Sequence, residues 1–204
     1  MAKTMLYLFN CLFLDLHRRQ LDKNEQILFH CVKVITVRNP FARILSAYND
    51  KMVRRSTGYT HVYGRLSEKI NKQFRHLRQN KADTNKTDDG SATLEDFVNF
   101  LLSDDQLAKD YHWNMYDQIC QPCLHRFDYI TKFETMTEDM SQLASMLNFT
   151  EAHKSIFFRR RNYRTQPDKV EKAFAVVPRQ LTWKLYQKYR KDFELFGYQK
   201  PSWL

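Results

Sequence analysis

KVITVRNPFARILSAYNDKM, from Lys33 to Met52, is the stretch on which the reading of the whole chain turns. Val34-Ile35-Thr36-Val37 is a β-branched run of the kind that fills a buried strand. The period then changes abruptly at Arg38-Asn39-Pro40. Asn39 is a good N-cap and Pro40 a favoured first helical residue, and Phe41, Ile44, Leu45 and Tyr48 follow at three- and four-residue spacing, so a helix begins at once. A strand that feeds a helix across a tight corner gathers backbone N–H groups and the positive end of the helix dipole at one spot, with Arg38 beside them and Arg43 and Ser46 in the next turns. Such a spot suits an anion. The same pattern also occurs in α/β proteins whose arginine does no more than pair with a carboxylate.

At 204 residues the chain is expected to form one domain, 1–204, and its 43% apolar and 14% aromatic content is enough for a good core. The formal net charge of +10 predicts attraction to polyanions, among them nucleic acids, acidic membrane surfaces and sulfated or uronate-bearing glycans. With only four glycines, the chain has no G-x-x-x-x-G-K-[ST] or G-x-G-x-x-G phosphate loop. Cysteines stand at positions 11, 31, 120 and 123. Cys120 and Cys123 form a lone C-x-x-C that fits half a zinc site, a redox pair or a structural pair, and no second such motif completes a metal set.

Along the chain, Met5 to Leu14 is apolar but too short to span a bilayer, which takes about 20 such residues. It reads as an amphipathic or buried helix with Leu6, Phe9, Leu12, Phe13 and Leu16 on one face. Arg54 to Asn80 is basic and aromatic and reads as a solvated loop and helix. Residues 81–92, KADTNKTDDGSA, form a mobile surface loop. Asn85-Lys-Thr87 and Asn148-Phe-Thr150 are glycosylation sequons. Thr93-Leu-Glu-Asp96 caps a helix carrying Phe97, Phe100 and Leu101. His112, beside Tyr111 and Trp113, is either a structural histidine or a general base for a hydroxyl near neutral pH. Phe127 to Phe133 is a second core strand, followed by a helix with Met140, Leu143 and Met146 inward. Arg159-Arg-Arg161 and Arg164 fit a glycan or donor contact at least as well as nucleic acid, because no helix-turn-helix, finger spacing or RNP-type strand accompanies them. Leu181 to Leu195 is a packing helix.

RNPFARILSAYNDK resembles the 3′-phosphate-binding signature of the Golgi carbohydrate sulfotransferases of the chondroitin, dermatan and HNK-1 type. Three later stretches agree in order: His112-Trp113 with Cys120-Gln-Pro-Cys123, then Phe127 to Thr135, then Tyr189 to Tyr198. The resemblance implies a single α/β domain of the P-loop-like sulfotransferase kind, with a small parallel sheet flanked by helices. It implies 3′-phosphoadenosine 5′-phosphosulfate as co-substrate, Arg38 and Ser46 on its 3′-phosphate, and Asn39, Pro40, Phe41, Ala42, Arg43, Ile44 and Leu45 shaping the pocket. It favours a structural role for the C-x-x-C in an oxidising lumen, a Golgi location on the lumenal side, and an anionic, chondroitin-like glycan acceptor. No nucleic acid partner is expected, and the transfer needs no metal, since arginines and lysines supply the positive charge.

Two departures from the family matter. Thr131 stands where glycine is usual. The family's 5′-phosphosulfate loop, roughly P-K-[AV]-[AG]-[CS]-[TS], has no counterpart before the first apolar run, nor has its membrane anchor. The expectation is therefore a chain truncated relative to the family, or a relative that keeps the 3′-phosphate pocket without transferring sulfate. A basic nucleic-acid-binding module is the remaining alternative.

Overall fold

The computed structural model describes residues 32–53, 60–78, 90–148 and 167–204, together with the backbone of 6–9. The chain is α/β, with a small parallel sheet and flanking helices, as expected. Its contacts divide it into two compact units: Met1–Asn39 with Tyr116–Arg164, and Pro40–Met115 with Thr165–Leu204.

The first unit is built on a three-stranded parallel sheet in the order β1 (Leu6–Phe9), β2 (Val32–Val37), β3 (Tyr129–Lys132). Leu6 pairs with Val32 and Phe9 with Ile35, while Val34 pairs with Tyr129 and Val37 with Lys132. Residues 6–9 are thus strand where the sequence suggests helix. A four-residue apolar run carries no period of its own, and pairing with β2 decides its state. The rest of that run lies outside the described residues.

A short α4 (Tyr116–Ile119) opens the second segment of this unit, and α5 (Met136–Met146) follows β3. Met140 and Leu143 of α5 are buried against Val34. Met146 is 60% exposed, contrary to expectation. Six residues beyond Met140, it lies about 240° round the helix, off the buried face. Thr131 hydrogen-bonds Thr36, hydroxyl to hydroxyl at 2.9 Å, so its buried side chain has a partner within the sheet.

Cys120 is fully buried and disulfide-bonded, while Cys123 is exposed and free. The C-x-x-C is therefore not a bonded pair, and the partner of Cys120 lies outside the described residues. Gln121, at φ 44°, turns the chain between the two cysteines, and Cys123 emerges on the surface.

The second unit is helical: α1 (Pro40–Ala47), a π-helical turn (Tyr48–Met52), α2 (His61–Phe74), α3 (Leu94–Leu102), α6 (Pro167–Phe174) and α7 (Arg179–Leu195). Thr93 and Asp96 form the predicted capping box at the start of α3. Phe41 meets Phe174 edge-on at 4.8 Å between ring centroids, and Phe97 meets Trp113 at 5.3 Å. Leu185, Tyr189 and Phe193 of α7 are buried in the same core. Of the expected loop 81–92, Ser91 and Ala92 are buried. Asn71 Nδ2 donates to the Ser91 carbonyl at 2.7 Å, and the Ala92 amide donates to Ser67 Oγ at 2.9 Å. Residues 81–89, with Asn85, lie outside the described residues.

The Tyr189 hydroxyl donates to the Trp113 carbonyl. Burial, first, and the Asp192 carboxylate raise this phenol above its ordinary value, against a lowering pull from Arg43. A raised phenol keeps its proton when folded at a pH where the unfolded one has lost it. Its contribution is therefore intact below pH 10.0 and drains as the pH rises, by up to about 1.4 kcal/mol per pH unit. Tyr189→Phe is expected to cost about 1 kcal/mol at neutral pH and to decline less steeply than wild type above about pH 10. Urea midpoints across that range check it, and parallel declines would refute it.

Candidate functional site

β2 delivers Arg38 and Asn39 to the C-terminal end of the sheet, the end at which open parallel sheets bind their ligands. Both residues are half-buried. The Arg38 guanidinium lies 4.4 Å from the centroid of the Phe133 ring, and the Asn39 amide donates to Glu134 Oε1 at 2.8 Å. A carboxylate of the same unit thus takes the first amide that the sequence reading offered to an anion.

The boundary between the units falls between Asn39 and Pro40, so the rest of the stretch belongs to the helical unit. There Pro40, Phe41, Ala42, Ile44 and Leu45 are buried, and the side chains of the last four belong to the core. The polar side chains of α1 are Arg43 and Ser46. Arg43 Nη2 donates to the Asn114 carbonyl, which ties α1 to the turn that carries His112. Ser46 is half-buried, with no hydrogen bond to its hydroxyl among the described residues.

His112 sits in a turn folded by its own neighbour. Asp110 Oδ1 accepts the His112 amide at 2.9 Å, and the Asp110 carbonyl accepts the amides of Trp113 and Asn114 at 3.1 and 2.7 Å. An aspartate that bonds the amide two residues on is the usual Asx turn. The same Oδ1 lies 2.7 Å from His112 Nδ1, and Tyr63 Oη lies 2.9 Å from Nδ1 and 3.4 Å from Asp110 Oδ2. The carboxylate can only accept, so Nδ1 carries the proton and Nε2 presents its lone pair, and the phenol proton goes to Oδ2. Nε2 makes no hydrogen bond among the described residues.

Burial works to raise the Asp110 carboxyl, but hydrogen bonds from the His112 side chain and backbone and from Tyr63 outweigh it and leave Asp110 below its ordinary value. Burial, then the Asp110 charge, push the Tyr63 phenol well above its usual range. Lys51, in the π turn that closes the stretch, pairs with Asp50 at 3.0 Å and lies 5.2 Å from the centroid of the Tyr63 ring. The arrangement is a histidine held in one tautomer by a carboxylate and a phenol. Chemically, it can accept a proton at Nε2.

Sequence reasoning singled out His112 but missed both of its supports. Asp110 had a local signal, being an Asp two residues before the histidine in a turn. Tyr63 had none, because it meets His112 across 49 residues of chain. Among the described residues no cluster of three or more His, Cys, Asp or Glu side chains is arranged to hold a metal, and no helix is long and apolar enough to cross a membrane.

Residues 4–199 match the Sulfotransferase family. The chain belongs to that family. It is 27% identical to human carbohydrate sulfotransferase 9 over 179 residues, covering 83% of this chain and 38% of that protein. It is 30% identical to zebrafish (Danio rerio) carbohydrate sulfotransferase 14 over 178 residues, 86% of this chain and 46% of the relative. Mouse carbohydrate sulfotransferase 11 is 28% identical over 183 residues, 85% of this chain and 48% of the relative. This sulfotransferase chain therefore spans less than half the length of these three relatives. No solved structure matches it.

Proposed function

We propose that the chain transfers a sulfuryl group from 3′-phosphoadenosine 5′-phosphosulfate to a hydroxyl of a glycan. Arg38 and Ser46 hold the 3′-phosphate, Asn39 to Leu45 shape the pocket, and His112 is the base. The observation that carries this reading is that two residues of the 38–51 stretch, Arg43 and Lys51, lead to the His112 turn, one through Asn114 and the other through Tyr63. Within the helical unit, the part of the stretch from Pro40 onward is thus linked to the residue able to take a proton. In the transfer, the acceptor oxygen bonds to sulfur as the bond from sulfur to the 5′-phosphate oxygen breaks. His112 Nε2 takes the hydroxyl proton, and adenosine 3′,5′-bisphosphate leaves. The reaction is mostly positioning and charge neutralisation, which fits a site built from arginine, serine and histidine.

The net charge of +10 supports an anionic acceptor of the chondroitin type. The disulfide at Cys120 supports an oxidising compartment, consistent with the Golgi lumen. Asn148 is exposed in the left-handed conformation, φ 53°, just beyond α5, which suits it to carry a glycan of its own.

The donor site is tested by calorimetric titration with adenosine 3′,5′-bisphosphate. Arg38→Ala is expected to weaken binding roughly 10- to 100-fold and Ser46→Ala roughly tenfold, the worth of hydrogen bonds to a charged group. Equal affinity of wild type and Arg38→Ala would exclude this assignment of the 3′-phosphate.

A further inference from the structure

The sheet holds one feature that the proposed reaction does not use. β2 and β3 pair at a constant separation of 95 residues, from the Lys33 amide on Asp128 Oδ2 at 2.7 Å through the ladder to Val37 beside Lys132. Backbone pairing ends there, since β3 passes into the short 3-10 turn Phe133–Thr135. The separation nevertheless persists for two more residues: Arg38 stacks on Phe133, and the Asn39 amide bonds the Glu134 side chain. Side chains take over where the ladder stops.

We infer that Phe133 and Glu134 are positioning residues for the anion-binding stretch, the ring fixing the plane of the Arg38 guanidinium and the carboxylate fixing the Asn39 amide. This rests on the proposed 3′-phosphate site. A long arginine at a strand end loses much rotamer freedom on meeting a ligand, and a stacking partner removes part of that cost in advance. Glu134 does for the backbone what Phe133 does for the side chain. It holds Asn39, the last residue of this unit's first segment, from the position that follows Phe133 beyond β3. A carboxylate next to an anion site is otherwise unfavourable, because like charges repel. The role inferred for it is the hydrogen bond it accepts, as distinct from its charge.

That distinction gives a test with opposite signs. Glu134→Gln keeps an acceptor oxygen and drops the charge, whereas Glu134→Ala drops both. In titrations with adenosine 3′,5′-bisphosphate, Glu134→Ala is expected to bind roughly tenfold more weakly, and Glu134→Gln as tightly as wild type or more so. Phe133→Leu is expected to lose about threefold, with recovery in Phe133→Tyr. Hydrogen exchange at the Asn39 amide, measured by NMR without nucleotide, is expected to speed up in Glu134→Ala and not in Glu134→Gln. Wild-type affinity in Glu134→Ala, with binding still lost in Arg38→Ala, would overturn the inference. So would equal losses in the alanine and glutamine variants, since the charge would then be what matters. If Arg38→Ala binds as wild type does, the donor site itself is wrong. The exchange rate at Asn39 then still decides whether Glu134 holds the turn.

Discussion

His112→Ala is expected to lower sulfuryl transfer to a glycan hydroxyl by roughly 10²- to 10⁴-fold, the usual worth of a positioned general base, with nucleotide affinity unchanged. The expectation rests on the orientation of the imidazole. Nδ1 is committed to Asp110, so Nε2 is the nitrogen left to receive a proton. Asp110→Asn should also lower transfer, because an amide can turn its NH₂ toward Nδ1 and select the tautomer that buries the lone pair. Tyr63→Phe should do less, since it removes a hydroxyl and leaves the carboxylate in place. The measurement is transfer of radiolabelled sulfuryl from the donor to chondroitin, alongside bisphosphate titration of each variant. Transfer by His112→Ala within about threefold of wild type would remove His112 from the chemistry. A wild-type chain that binds the bisphosphate yet transfers nothing would remove the enzymatic reading.

Asp96→Ala is expected to destabilise the helical unit by about 3–5 kcal/mol, the cost of stripping one partner from a buried ion pair. Asp96 is fully buried. Its carboxylate accepts Arg78 Nε at 2.9 and 3.1 Å, Arg78 Nη2, and the Thr93 amide at 2.9 Å. Removal undoes the α3 capping box and takes the Asp96 charge from Arg78, whose side chain is 10% exposed and also contacts Asn71. A loss of this size is a large part of the 5–15 kcal/mol that typically holds a domain together. Asp96→Asn keeps an acceptor for the Thr93 amide and should cost distinctly less. Urea denaturation checks both, and a loss below about 1 kcal/mol in Asp96→Ala would mean that the pair contributes little.

Those two sites differ in how far the sequence announces them. Thr93 and Asp96 are three residues apart, so the cap is written locally, and the same is true of the strand, proline and helix from Val34 to Leu45. Arg78 reaches Asp96 from a segment read as solvated, and nothing in a basic run tells which arginine will be buried. β1 was legible only as an apolar run, since its state depends on β2, more than 20 residues on. The C-x-x-C spacing suggested a pair, but the turn at Gln121 sends its two cysteines to different surroundings. At the stretch proposed to bind the 3′-phosphate, the arginine, serine and helix start were all readable. The carboxylate that meets Asn39 from 95 residues away was not.

The two units are interleaved along the chain, and this bears on how the protein is made. Each consists of an early and a late segment, so neither is complete when its first segment leaves the ribosome. Closing the loop that brings β3 to β2 costs about 4 kcal/mol in chain entropy before any pairing repays it. Only when Lys132 has emerged can that ladder form in full. The helical unit waits longer still, because Leu185, Tyr189 and Phe193 belong to its core. Until α7 is synthesised, that core stays open to water and to chaperones. Folding of the helical unit is therefore expected to await α7, and a chain that stops ahead of α7 is expected to be aggregation-prone.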